Sequence, residues 1–129
     1  MKIDETSLTP IFIQVAQWLE EEILKGHILE EEQVPSTNQF ATMYKINPAT
    51  ARKGFTLLVE EGILYKKRGI GMFVSQGATE KIKERARTRL VEESIRQLLQ
   101  EAARLGLTKQ DVIQMIDHIK EADYDSNNM

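Results

Sequence analysis

A chain of 129 residues, 41% hydrophobic and 29% charged, is sized for one domain, or one small domain with an appendage, around a single modest core. No apolar run approaches the roughly 18 residues of a spanning helix, no secretory leader pattern is visible and there is no cysteine, so the expectation is a cytoplasmic chain, neither membrane-borne nor built on disulfides. The net charge of −3 excludes a wholly basic nucleic-acid binder and moves the question from total charge to its distribution.

In chain order, Thr9 is placed to cap a first helix that begins at Pro10, and Ile11, Phe12, Val15, Ala16, Leu19, Ile23 and Leu24 recur at helical spacing until Gly26 stops it. A loop over 27–35 leads to Ser36, which with Gln39 makes a capping box for a second helix starting at Thr37, with Phe40, Ala41 and Tyr44 on its apolar face. Asn47 is a preferred N-cap and Pro48 a preferred first position, so a third helix starts there and runs to Gly62. Two helices joined by so few residues must cross steeply, and Ala41 and Ala51 are small enough to let them approach, which gives a helix-turn-helix. Its second helix turns Ala51, Phe55, Leu58 and Val59 inward and leaves Ala49, Thr50, Arg52, Lys53 and Thr56 at or near the opposite face. A polyanion is favoured there both by the macrodipole and by free N–H groups.

Beyond Gly62 the period changes. Ile63 to Tyr65 and Met72 to Val74 read as strands flanking the turn "KKRGIG", a β-hairpin with a basic tip. Gly69 and Gly71 permit positive φ or close approach to a ligand, while Lys66, Lys67 and Arg68 attract phosphate. The GxG opens no helix, so it is not a dinucleotide loop. From Lys45 to Arg68, Lys45, Arg52, Lys53, Lys66, Lys67 and Arg68 face only Glu60 and Glu61; acid is concentrated in 20–22 and 30–32. Those triplets read as solvated runs rather than metal or acid/base sites, because adjacent helical positions diverge.

The tail has a helix from Thr79 carrying Ile82, Ala86 and Leu90. In it Val91, Ile95, Leu98, Ala102 and Leu105 repeat at alternating steps of four and three, a stripe that wants a partner. Gly106 ends it, Thr108 caps the last helix with Asp111 at the box position, and Val112, Ile113, Met115, Ile116 and Ile119 form an apolar face. Two such helices do not bury their apolar faces alone, so they either fold back on the winged domain or pack against a second chain; a two-fold homodimer through Val91, Ile95, Leu98, Ala102, Leu105, Val112, Ile113, Ile116 and Ile119 is the expectation. The fold class is therefore mostly α with a small β-hairpin: a winged helix-turn-helix over 1–76, a two-helix dimerisation segment over 77–122, and a disordered polar tail over 123–129.

The residues from Pro10 to Ser75 resemble the winged helix-turn-helix of the GntR family of bacterial transcription regulators. The resemblance rests on Pro10-Ile11 with Gln14, Gly26, Val34-Pro35-Ser36, Asn47 with Thr50 and Arg52, Glu61-Gly62-Ile63-Leu64, and Gly69-Ile70-Gly71-Met72-Phe73-Val74. The short tail resembles the YtrA-type branch, in which a two-helix segment replaces a larger effector-binding domain. The resemblance implies a homodimeric regulator of double-stranded DNA, acting as a repressor on a palindromic operator of a transporter operon, with autoregulation. It places Arg52 and Thr50 at DNA contacts on helix three and Gly69 at the wing contact with the minor groove. Asn38 and Pro48 stand where family members commonly carry arginine, which shifts affinity toward phosphate contacts from Lys53, Lys66, Lys67 and Arg68. The expected DNA-binding set is Ser36, Thr37, Asn38, Asn47, Ala49, Thr50, Arg52, Lys53, Lys66, Lys67, Arg68, Gly69 and Gly71.

Catalysis and cofactors find no support. His27 lies in a loop and His118 in the last helix, without cysteine or a spaced carboxylate set. Trp18 and Met115 read as packing residues. The alternatives to DNA regulation are a winged-helix module for a protein partner and a small-molecule sensor; a tail this short leaves little room for a ligand cavity, and the sequence does not identify an effector.

Overall fold

The computed structural model describes residues 2–125. Of the tail, 126–129 lie outside the described residues; Glu121–Asp123 forms a 3-10 turn, so the last structured residues reach one position into the stretch expected to be disordered. The chain divides into two compact units, Met1–Arg85 and Ala86–Met129.

In the first unit α1 (Ile11–Leu24), α2 (Thr37–Tyr44) and α3 (Pro48–Glu60) surround the core. Helix α1 starts one residue later than expected. Pro10 is its N-cap and Thr9 makes no cap bond; the Gln14 side-chain amide instead donates to the Thr9 and Asp4 carbonyls, pinning the leading segment to the helix. The α1 and α3 helices end alike, with Gly26 and Gly62 in the left-handed region and the following N–H groups reaching back to carbonyls one turn earlier. The capping box of Ser36 with Gln39 and the Asn47 cap are present as the sequence predicts. Between α2 and α3 it is Lys45, at φ 55, that takes the left-handed turn.

Apolar burial then fixes the packing. Val15, Leu19, Phe40, Phe55, Leu58, Ile63, Leu64 and Val74 are fully buried, and Phe40 links α2 to α3 through a T-shaped contact with Phe55, 5.4 Å between centroids. Trp18 and Tyr44 complete the aromatic group against Phe40. Val59, expected to be inward, is only half-buried, while Gly54 is buried in its place. A Cβ on Gly54 would lie 2.7 Å from the Phe12 carbonyl oxygen and 2.9 Å from Val15 Cβ, so α3 and α1 touch where α3 has no side chain.

Strands β1 (Leu64–Lys67) and β2 (Gly71–Val74) form an antiparallel hairpin with Leu64 opposite Val74 and Lys67 opposite Gly71. The strands are longer than expected: Lys66 and Lys67 belong to β1, and the turn is Arg68, Gly69 and Ile70. The preceding loop is not irregular throughout either. Residues 31–34 run antiparallel along β2, with Glu31 N–H on the Val74 carbonyl, Val74 N–H on Glu32 and Val34 N–H on Met72, and a bridge from Gln33 to Phe73.

Helix α4 (Ala78–Arg89) follows. Ala78 and Ile82 belong to the first unit's core, so the compact boundary falls after Arg85 rather than after residue 76. Two acidic runs that read as solvated tie this unit together. Glu30 accepts from the N–H groups of Gly77 (2.7 Å) and Thr79 (3.2 Å), and Arg85 pairs with Glu20 at 2.7 Å and with Glu61.

The second unit holds a π-helical segment Leu90–Ile95, α5 (Arg96–Arg104) and α6 (Lys109–Asp117). The uninterrupted helix expected here is thus broken by wider winding at the start of the apolar stripe. Gly106 and the box of Thr108 with Asp111 connect α5 to α6, and the two helices pack together. Ile119 lies beyond α6 and not on it.

Two predictions follow from this packing. Gly54→Ala gains about 1 kcal/mol of helix propensity but forces a methyl onto backbone that has nowhere to go, an overpacking cost of about 1–3 kcal/mol; the net effect is a lowered thermal midpoint. The bonds to Glu30, that from Gly77 first, hold its carboxyl below the ordinary value. A depressed folded-state pKa stabilises above the unfolded value and ceases to do so as pH falls through the folded one. Thermal melts of Glu30→Ala against the parent chain should differ at neutral pH and draw together as pH falls below the ordinary carboxylate range.

Candidate nucleic-acid interface

The α3 helix has one face committed to the core, Ala51, Gly54, Phe55 and Leu58, which decides what its other face presents. Ala49 and Arg52 are exposed and Thr50 and Thr56 half-buried. The Arg52 guanidinium is a bidentate donor suited to a guanine edge or a phosphate. Lys53, one position on, lies elsewhere: its Nζ sits 4.1 Å above the Phe12 ring centroid, on the α1 side of α3. An exposed cation–π contact is worth only about 0.5–1 kcal/mol, less than a charge-assisted bond to phosphate, at about 1.5–3 kcal/mol. The ring contact of Lys53 is therefore the weaker of the two kinds of bond.

At the α3 start the Asn47 side-chain oxygen accepts from Ala49 N–H at 2.7 Å and Thr50 N–H at 3.4 Å. Those amides, expected to be free for an anion, are already capped, so this end attracts a phosphate through its dipole while Asn47 has a local role to keep. Ser36 Oγ likewise accepts from Gln39 N–H at 3.0 Å. The Ser36 hydroxyl proton is not used by that bond and remains a donor at the exposed start of α2, beside half-buried Thr37 and exposed Asn38.

The hairpin divides its cations. Neighbouring strand residues point to opposite faces, so Lys66 and Lys67 separate; Lys67 Nζ lies 4.5 Å above the Phe73 ring, on the face where Phe73 stacks on Tyr65. The Tyr65 hydroxyl donates to Glu31, whose carboxylate raises the phenol above its usual value. Arg68, Gly69 and Ile70 are exposed at the apex, Gly69 with φ 78. Gly71 has φ 148, and a Cβ there would lie 2.5 Å from Gln33 Nε2. That Nε2 donates to the Ile70 carbonyl at 3.1 Å. Sequence reasoning missed Gln33, since nothing within its own neighbourhood signals a partner 37 residues away.

In the second unit the expected assembly residues divide as well. Ala102 and Val112 are buried within the unit, whereas Val91, Ile95, Leu98, Leu105, Ile113, Ile116 and Ile119 are exposed, Leu105 by 76% and Leu98 by 44%. So many large apolar side chains exceed the scatter normal for a monomer surface. Neither histidine has ligating company: His27 pairs with Glu22 and His118 bonds the Gln114 carbonyl. No group of three or more metal-ligating side chains and no helix long and apolar enough to cross a membrane occur among the described residues.

Residues 13–74 match the model for bacterial regulatory proteins of the gntR family. The chain is 32% identical over 119 residues to the HTH-type transcriptional repressor YtrA of Bacillus subtilis (strain 168), covering 92% of this chain and 91% of that one. Its fold is similar to the crystal structure of a GntR-family regulator from Bacteroides thetaiotaomicron, with TM-score 0.69, 30% identity, and 82% and 92% of the two chains covered. It also resembles the DNA-binding domain of AraR in complex with operator ORE1, with TM-score 0.52, 28% identity, and 58% and 94% covered.

Proposed function

The chain belongs to the GntR family of bacterial transcription regulators, in its YtrA-type branch, and from that premise we propose that it is a homodimeric repressor of a palindromic operator. It is a DNA-binding regulator and not an enzyme. The observation that carries the finer reading is α3 itself: its inner face is sealed by Ala51, Gly54, Phe55 and Leu58 while Arg52 stands exposed opposite. In this reading Arg52 and Thr50 meet base edges or phosphate in the major groove. Ser36, Thr37 and Asn38 contact phosphates from the start of α2, and Ala49 makes close contact with the groove. Lys53, Lys66, Lys67 and Arg68 supply sequence-independent attraction, with Gly69 and Gly71 shaping the wing and Asn47 orienting the helix start. The exposed stripe of the second unit supports assembly into a two-fold pair, which presents two copies of α3 to half-sites one or more helical turns apart. Action in the cytoplasm on a transporter operon is what the family resemblance adds.

A duplex enriched by the full chain from a random-sequence pool provides the test. Arg52→Ala should weaken binding to that duplex by about 1–3 kcal/mol and relax preference at the contacted base pair. Lys66→Ala should weaken all duplexes alike and lower the salt slope by about one unit. Binding that is insensitive to salt would speak for a protein partner instead. For assembly, Leu98→Glu should sediment as a monomer and bind the selected duplex more weakly; an unchanged dimer would put the interface elsewhere.

A further inference from the structure

We propose that Gln33 is a positioning residue of the wing, acting from outside the hairpin to set the apex that meets DNA; the inference rests on the DNA-binding reading above. Its backbone is anchored first. Residues 31–34 are hydrogen-bonded along β2, with Glu31 and Val34 N–H groups on the Val74 and Met72 carbonyls and Gln33 bridged to Phe73. From that fixed rail the side chain reaches forward, and Nε2 donates to the Ile70 carbonyl at 3.1 Å. The Ile70 N–H is bonded to the Lys67 carbonyl at 2.9 Å, so the apex residue is held on both of its backbone polar groups, once by the hairpin and once by Gln33.

The surroundings fit this purpose. A two-stranded hairpin by itself is marginal in water, and glycines on both sides of Ile70 remove the steric limits that would otherwise define the turn. An external donor supplies the missing constraint. Gly71 leaves the space: any Cβ there would collide with the Gln33 amide. What is displayed by this support is Ile70, 63% exposed although apolar, beside exposed Arg68. An apolar side chain kept in water at the end of a basic hairpin is suited to an apolar contact with sugars or base edges.

Gln33→Met keeps length and volume but lacks the donor, so it isolates the bond. In the free full chain, amide hydrogen exchange at Ile70 should speed up about tenfold, with the Tyr65 and Phe73 ladder amides and the thermal midpoint unchanged. Affinity for the duplex selected by the parent chain should fall about three- to tenfold at an unchanged salt slope, since no charge is removed. The loss should shrink when measured in an Ile70→Ala background, because coupled residues are not additive. Unchanged exchange at Ile70, unchanged affinity or a fully additive double variant would each overturn the proposal; the last would make Gln33 a direct DNA contact. If the parent chain itself binds no duplex, the DNA reading fails and the proposal with it. The exchange result in the free chain tells that failure from a failure of the Gln33 bond.

Discussion

The close approach of α1 and α3 at Gly54 is the constraint on which the first unit turns. Where two helices meet over a glycine, the backbone of one lies against the carbonyl and side chain of the other, and the separation is set by backbone rather than by adaptable side chains. That fixes how α3 is rolled. With Gly54 inward, Ala51, Phe55 and Leu58 follow it into the core and Arg52 is carried outward, because successive helical residues are set about 100° apart. A slightly looser crossing would let α3 rotate and would blur which residues face outward.

Polar ties then hold the periphery to this centre. Glu30 caps the start of α4, Glu31 takes the Tyr65 hydroxyl, and Arg85 gathers Glu20 and Glu61. Acid that looked surplus in the composition is thereby engaged within the fold. Arg85 is among the residues closing the first unit, and the expense of holding its charge partly out of water is offset by two carboxylates. The cations of α3 and the hairpin are handled differently. Lys53 and Lys67 rest on aromatic rings, contacts weak enough to exchange for phosphate, whereas the acids sit in bonds that define the architecture.

How much of this was legible in the sequence depended on the range of the interaction. Caps made by Ser36 with Gln39, by Asn47 ahead of Pro48, and by Thr108 with Asp111 are closed within one turn, and local residue type announces them. Alternation and glycine placement likewise revealed the hairpin, though its lysines proved to be strand residues. What stayed hidden was long-range. Residues 31–34 contain one buried apolar side chain, Val34, too little pattern to betray a strand whose partner lies about forty residues on. A mid-helix glycine such as Gly54 signals a packing reason without naming the neighbour, and the placement of Lys53 over Phe12 needed the α1–α3 crossing to exist. In the tail the spacing located the apolar stripe, while π-helical winding at Leu90–Ile95 had no compositional sign.

The pairing of β2 between β1 and residues 31–34 has a consequence of another kind. Among the described residues it leaves the far side of β1 as a rim whose amide and carbonyl groups have no strand beside them. Such rims invite self-templating between molecules, and lysine is a common guard against it. Lys66 and Lys67 occupy that rim, and their charges are of the kind that keeps neighbouring copies from zipping together. Neutral replacements there would cost solubility, whatever else this short stretch does.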